Sequence, residues 1–155
     1  MTEIIIDVKR LDNASDLPLP TYATEGAACM DLYAAIPDLV AINNGLRALI
    51  PTGLAVALPA GYELQIRSRS GLAMKNGVCV LNSPATIDSD YRGELGVILA
   101  NFSGQPYFVE RGQRIAQMLV MPVPRIKWRE VSALPDTQRG AGGFGSTGYG
   151  GCGNV

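Results

Sequence analysis

The sequence contains no histidine, and only 17% of its 155 residues are charged. Without an imidazole group, the chain has no Ser-His or Cys-His catalytic pair, no histidine-ligated metal and no imidazole proton shuttle. Acid–base chemistry must therefore depend on carboxylates. The formal net charge of −1 also argues against broad electrostatic binding of nucleic acid or of an anionic membrane surface, so any bound anion requires a local cluster of donors.

Cysteines and long apolar runs are also scarce. The three cysteines, Cys29, Cys79 and Cys152, are odd in number and far apart, so they fit neither a disulfide framework nor a zinc site, and we expect free thiols. The N-terminus has no basic segment before an apolar stretch, and no run is long enough to cross a membrane. We therefore expect a cytoplasmic protein with no membrane partner.

What the chain does have is a series of short strand patterns separated by turn residues. Residues 4–8 predict a first strand, and the alternating apolar residues of 54–58 and 62–66 flank the turn Pro59–Gly61 and predict a hairpin. Further strands are predicted at residues 78–81, 95–100, 107–109 and 115–120. The length suits one domain, and the pattern predicts an all-β sandwich or barrel over residues 1–138.

One short helix is predicted over Ser70–Lys75, with Ser70 as its N-cap. The overlapping segment Arg67–Gly71 combines two guanidinium groups, hydroxyls and the free N–H groups of a helix start, which favours anion binding. Taken alone, a motif this short fits a solvated basic strand end equally well.

Two carboxylates, Asp88 and Asp90, lie in the polar segment 87–94. If this segment is a strand or hairpin, alternation places both on one face, where one of them can act as a general base. The alternative is an acidic turn whose aspartates hydrogen-bond local amides, and the segment taken alone fits that interpretation better.

The tail from Arg139 to Gly148 joins one cation, one aromatic ring and two hydroxyls to five glycines. Glycine-rich backbone can form an anion-binding concavity, so the tail predicts a flexible phosphate-binding flap in which Phe144 stacks on a planar base. A dinucleotide-binding fold is excluded because too few residues follow Gly148 to build it. Composition alone favours a disordered tail, but the set of Arg139, Phe144, Ser146 and Thr147 among the glycines counts against that alternative.

Together these segments resemble the homotrimeric dUTPase family, whose five motifs have counterparts here in the same order. The motifs are Ala28–Ala34, Arg69–Ala73, Asn82–Gly93, Arg111–Gln117 and the tail from Arg139. The resemblance implies hydrolysis of dUTP to dUMP and pyrophosphate. It also implies a distorted jelly-roll or β-clip barrel with one short helix and a flexible glycine-rich arm over residues 139–155, assembled as a homotrimer with active sites shared between subunits.

The resemblance also assigns roles to individual residues. Asp88 matches the general base that activates the attacking water, and Tyr91 matches the ring that packs on the deoxyribose and excludes a 2′-hydroxyl. Asn82, with the backbone of Thr86, Ile87 and Asp88, matches the hairpin that hydrogen-bonds uracil.

The phosphate and metal positions follow in the same way. The family's phosphate-binding positions correspond to Arg69, Ser70, Gly71 and Gln117. Its flap positions correspond to Arg139, Gly145, Ser146 and Thr147, with Phe144 stacking on uracil. Mg²⁺ is expected to bind mainly through the triphosphate, with Asp31 touching its hydration shell and no site made by protein alone.

Two alternatives of different classes stay open. A dCTP deaminase shares the fold but acts on the base, and ammonia release from dCTP would identify it. A regulatory protein would bind the nucleotide without turnover. The flap with Phe144 counts against the first alternative, and Asp88, Tyr91 and the flap together count against the second.

Overall fold

The computed structural model describes residues 3–146. Over these residues the chain forms short strands, one α-helix and one turn of 3-10 helix. In chain order they are β1 (Asp7–Arg10), the 3-10 helix (Asp12–Ala14), β2 (Met30–Tyr33), β3 (Val40–Ile42), β4 (Arg47–Ala57), β5 (Tyr62–Arg67), α1 (Ser70–Asn76), β6 (Val78–Val80), β7 (Ala85–Ile87), β8 (Glu94–Asn101), β9 (Tyr107–Val109) and β10 (Arg114–Pro122).

The strands form two four-stranded sheets and one two-stranded sheet, and every strand pair is antiparallel. Sheet A has the order β1-β4-β8-β6, sheet B has the order β2-β10-β5-β7, and β3 pairs with β9. The prediction of an all-β, jelly-roll-like fold with one short helix is therefore confirmed.

The core takes apolar side chains from both large sheets. Ile50 and Leu99 of sheet A and Leu32, Ile66 and Ile115 of sheet B are all fully buried in one cluster. Alternation along each strand directs these residues inward, and burial of this apolar area is the main stabilising contribution to such a fold. The chain divides into two compact units, one ending at Arg125 and one beginning at Ile126, and all of the sheets belong to the first.

The predicted hairpin of residues 54–58 and 62–66 is wrong. Strand β4 pairs with β1 and β8, whereas β5 pairs with β10 and β7, so the turn at Pro59–Gly61 carries the chain from one sheet to the other. Both segments alternate because each has a face in the core. Alternation identifies that face but not the neighbouring strand.

Two smaller expectations also need correction. The first strand is Asp7–Arg10, which starts three residues later and ends two residues later than predicted, because its pairing with β4 begins at Asp7. Ser70 is the first residue of α1, and the N-cap is Arg69, whose backbone is extended and whose side chain makes no capping hydrogen bond. No helix in the described part of the chain is long and apolar enough to cross a membrane.

Candidate active site

Strand β5 positions most of the predicted site residues, because it pairs with β10 along one edge and with β7 along the other. Near its C-terminal end Arg67 is opposite Gln117, whereas near its N-terminal end Leu64 is opposite Ile87. Asp88 therefore follows β7 near the start of β5. At about 3.3 Å per residue, the two ends of this strand are separated by roughly 13–17 Å.

The C-terminal end of β5 carries a cluster of three charged groups from distant parts of the chain. Asp31 Oδ1 accepts a hydrogen bond from Arg69 Nε at 2.8 Å, and Asp31 Oδ2 accepts one from Arg114 Nη1 at 3.2 Å. The Asp31 and Arg69 side chains are only 22% and 27% exposed. Such charge-assisted bonds fix the direction of the guanidinium groups. Arg69 also donates to the Arg114 carbonyl oxygen at 3.1 Å.

The pairing of β2 with β10 explains how Asp31 reaches this cluster, because Asp31 is directly opposite Gln117. Gln117 in turn donates from Nε2 to the carbonyl oxygen of Ser68 at 3.0 Å. The structure thus brings together Asp31, Arg69 and Gln117. Sequence reasoning gave Arg114 no role, although it lies within the quoted motif 111–117.

Ser70 and Gly71 form the first turn of α1 and are exposed. The N–H groups of a helix's first turn have no partner within the helix, so these two residues offer backbone donors beside the Arg69 guanidinium. Ser70 is exposed, so its hydroxyl can reach a ligand. The arrangement suits an anion such as a phosphate.

The predicted base-binding residues lie in the turn between β6 and β7 and in β7 itself. Asn82 is exposed in the turn, while Thr86 and Ile87 pair through their backbone with Gln65 and Leu64. Strand β7 is the edge of sheet B, and within the described residues it pairs with β5 alone. An edge strand has unpaired N–H and C=O groups that can hydrogen-bond a planar base.

The segment after β7 is a turn, so the strand on which Asp88 and Asp90 were expected to alternate is absent. The turn nevertheless brings both carboxylates to one cleft of about 370 Å³, which is open and polar. Tyr62, Glu63 and Arg125 also line this cleft, and sequence reasoning missed all three of them. Tyr62 and Glu63 belong to β5, and their position beside Asp88 follows only from the register of β7 on β5.

Tyr91 is held in the same turn as Asp88. Its N–H donates to the Asp88 carbonyl oxygen at 3.1 Å, and its hydroxyl donates to the Glu94 carbonyl oxygen at 3.0 Å. The ring is 44% exposed. One turn therefore presents a carboxylate and an aromatic ring to solvent in a fixed relation.

The tail belongs to the second compact unit of the chain, which begins at Ile126. Arg139 Nε donates to the carbonyl oxygen of Gly142 at 2.9 Å, and the Ser146 N–H donates to Gly143 at 3.1 Å. Phe144 and Gly145 have φ values of 46° and 92°. The tail is thus a series of tight turns over these residues, and the predicted site residue Thr147 lies outside the described range.

The dUTPase family model matches residues 15–148. The chain is 53% identical over 143 residues to the deoxyuridine 5′-triphosphate nucleotidohydrolase of Anaplasma marginale (strain St. Maries), covering 92% of this chain and 97% of that protein. It is 54% identical over 149 residues to the same enzyme of Wolbachia pipientis wMel, covering 95% and 97% of the two chains.

Solved structures of dUTPases share the fold of this chain. The G164S mutant of the Staphylococcus bacteriophage 80alpha dUTPase with dUpNHpp superimposes with a TM-score of 0.82 at 25% identity, covering 93% of this chain and 98% of that chain. Fold and sequence thus define an enzyme of the nucleotide hydrolase class. The chain belongs to the dUTPase family, and its reaction is the hydrolysis of dUTP to dUMP and pyrophosphate.

Proposed function

We propose that Asp88 is the general base of this reaction. The carboxylate accepts a proton from a water molecule as the water oxygen forms a bond to the α-phosphorus, and the bond from that phosphorus to the bridging oxygen breaks to release pyrophosphate. The observation that carries this proposal is the turn that holds Asp88 and Tyr91 together through the 3.1 Å backbone hydrogen bond. The general base Asp88 holds the water and the Tyr91 ring holds the deoxyribose. Because both residues belong to one turn, the α-phosphorus is placed at a set distance from the water.

The predicted subsites for sugar and base adjoin this turn. The Tyr91 ring packs on the deoxyribose and leaves no room for a 2′-hydroxyl. Asn82 and the free backbone edge of β7 hydrogen-bond the uracil edge, and unpaired polar groups in such a site reject other bases strongly. The bacteriophage 80alpha relative bound to dUpNHpp supports a deoxyuridine nucleotide as the ligand of this chain also.

The phosphates bind at the other end of β5, to Arg69, Ser70, Gly71 and Gln117. Mg²⁺ bound to the triphosphate supplies charge neutralisation and helps to hold the phosphate chain in line for attack. The described residues contain no group of three or more metal-ligating side chains. Each Asp31 oxygen retains capacity to accept a hydrogen bond from metal-bound water beside its arginine partner.

We further propose that the active site is completed between subunits of a homotrimer. The separation along β5 supports this, because Asp88 and the Arg69 cluster lie toward opposite ends of one strand. The outward face of sheet A gives independent support. Leu49 of β4 is 67% exposed there and is opposite Ile98 in the register, and Leu81, which directly follows β6 and donates its N–H to the Ile98 carbonyl oxygen, is 49% exposed.

An antiparallel sheet with one free face is normally polar on that face. An apolar outward face is therefore suited to contact another copy of the chain. We expect Leu49→Glu to lower the molar mass measured by light scattering and to abolish turnover together. The matched control is Leu39→Glu, which places the same charge at an exposed leucine outside β4, β6 and β8. Retained assembly in Leu49→Glu would exclude this face as the interface.

The tail from Arg139 acts in this proposal as a flap over the bound nucleotide. Arg139, Gly145, Ser146 and Thr147 contact the outer phosphates, and Phe144 stacks on uracil. Closure excludes water other than the nucleophile and aligns the triphosphate.

The test of the catalytic proposal is pyrophosphate release from dUTP, dCTP, dTTP and UTP with Mg²⁺, with ammonia assayed in parallel. Asp88→Asn should retain dUTP binding and lose roughly 10²–10⁴-fold in kcat, because an amide cannot accept the proton. Asp90→Asn is the matched control, since it removes a neighbouring carboxylate from the same cleft. Turnover of Asp88→Asn within threefold of wild type would remove Asp88 as the base, and ammonia from dCTP would indicate a deaminase.

A further inference from the structure

Ser68 makes three hydrogen bonds that join separate parts of the candidate site. Its N–H donates to Ser83 Oγ at 3.2 Å, its own Oγ accepts from the Val80 N–H at 2.9 Å, and its carbonyl oxygen accepts from Gln117 Nε2 at 3.0 Å. It also directly precedes Arg69 in the chain. One residue therefore contacts both the phosphate-binding cluster and the turn that carries Asn82.

The two bonds to the turn come from opposite sides of Asn82. Val80 ends β6, which is the edge strand of sheet A, and Ser83 lies one residue beyond Asn82. Ser68 itself follows β5 in sheet B. The Ser68 hydroxyl and N–H thus link the edge of one sheet to the end of a strand in the other, and the linked segment is the one that carries Asn82.

We propose that Ser68 is a positioning residue for base selection in this enzyme. It holds the Asn82 turn against the C-terminal end of β5, so that the groups that meet the uracil edge keep a fixed position. The inference rests on the proposed role of Asn82 in base recognition. Ser68 itself does not contact the reacting atoms in this account.

The chemistry of the three bonds determines what each substitution removes. Ser68→Ala deletes the acceptor of the Val80 N–H but keeps both backbone bonds. Ser83→Ala removes the Ser83 hydroxyl, which is the acceptor of the Ser68 N–H. Ser68→Thr keeps a hydroxyl at the same position. A donor left without a partner favours displacement of the turn toward a position where water can solvate that donor.

The experiment measures kcat and KM for dUTP and dCTP with wild type, Ser68→Ala, Ser68→Thr and Ser83→Ala. We expect Ser68→Ala to reduce the dUTP-to-dCTP ratio of kcat/KM about tenfold, mainly through a higher KM for dUTP, with kcat within about threefold of wild type. Ser83→Ala should shift the ratio in the same direction. Ser68→Thr should restore it to within about twofold, which a loss of general packing would not explain.

Ser103→Ala is the matched control. The Ser103 hydroxyl donates to the Gln105 carbonyl oxygen at 2.8 Å in a loop outside the described site, so its loss weakens a loop without touching the Asn82 turn. Its dUTP-to-dCTP ratio should equal that of wild type. An equal loss of selectivity in Ser103→Ala, or an unchanged ratio in both Ser68→Ala and Ser83→Ala, would overturn the inference.

Asn82→Ala separates failure of this inference from failure of the proposed function. If Asn82→Ala loses base selectivity while Ser68→Ala and Ser83→Ala keep it, the base site stands and the role of Ser68 is refuted. If wild type and Asn82→Ala discriminate dUTP from dCTP equally, the proposed base site is itself wrong, and the inference falls with it.

Discussion

The ring of Tyr91 lies directly over the backbone of Gly93. A Cβ atom at position 93 would stand 2.6 Å from Tyr91 Cζ and would overlap the hydroxyl, which donates to the Glu94 carbonyl oxygen. Real Cβ atoms do not approach so closely, so Gly93 is required for the observed ring position. Local backbone at residue 93 thereby sets the orientation of the proposed sugar-packing group.

Gly93→Ala should therefore displace Tyr91 and weaken sugar selection. We expect the dUTP-to-UTP ratio of kcat/KM to fall about tenfold, since forcing a methyl group into such a contact costs on the order of 1–3 kcal/mol. Tyr91→Ala should narrow the same ratio, and the two variants should not be additive. Gly26→Ala is the control, because a Cβ atom there has nothing within 4 Å. An unchanged ratio in both Gly93→Ala and Tyr91→Ala would place sugar selection elsewhere.

Asp31→Asn should impair phosphate binding, because the neutral amide no longer balances the guanidinium groups of Arg69 and Arg114. Loss of charge-assisted hydrogen bonds in a partly buried site is worth roughly 1.5–3 kcal/mol, so kcat/KM should fall about tenfold to hundredfold. Arg114→Ala removes only the more exposed partner and should cost less. Titration with Mg²⁺ distinguishes two roles of Asp31. A raised half-saturating concentration supports contact with metal-bound water, and an unchanged one means that Asp31 only orients Arg69.

Deletion of residues 139–155 should leave the sheets intact, because every strand in the described structure ends before Val123. Thermal unfolding should change little, while turnover falls by about 10² or more through loss of preorganised phosphate donors. Phe144→Ala tests the stacking role separately and should raise KM for dUTP with a smaller change in kcat. A truncated protein that no longer assembles would show that the tail is structural.

The pairing of Asp16 with Arg111 should make stability depend on pH at the acid end. The hydrogen bond from Arg111 is the main cause that lowers the pKa of Asp16 below its ordinary value of 3.8. A carboxyl group with a lowered folded-state pKa stabilises the fold above its unfolded pKa, and this contribution is lost as pH falls through the folded value.

The stability difference between wild type and Asp16→Asn should therefore be constant from about pH 5 to pH 7 and shrink below about pH 4. Both side chains reach solvent, so the effect should be modest and should decrease in high salt. Urea unfolding at each pH measures it. A difference that persists at pH 2.5 would mean that the charge of Asp16 is not the cause.

The sequence was sufficient for features that depend on local periodicity and chemical type. Apolar alternation located β5, β6, β8, β9 and β10 to within two residues, and the segment Arg67–Gly71 predicted a donor cluster at a helix start. The dUTPase motifs supplied the family. These inferences succeed because the alternation of side chains along a strand and the free N–H groups at a helix start depend only on residues close together in the chain.

What the sequence could not supply was register across sheets. Residues 54–58 and 62–66 alternate and flank a turn, yet they belong to different sheets, because each buries a face in the shared core. The contact of Asp31 with Arg69 spans 38 positions and depends on Asp31 being opposite Gln117. Ser70 was misplaced as a cap because the extended residue before the helix is Arg69.

The six residues of β5 constrain how this gene can change. The strand is paired on both edges, so an insertion of one codon between Tyr62 and Arg67 would turn Leu64 or Ile66 out of the core and shift Gln117 or Thr86 out of alignment. Substitution at the solvent-facing positions carries no such penalty. Insertions and deletions in descendants of this sequence should therefore occur in the loops, while β5 keeps its six residues.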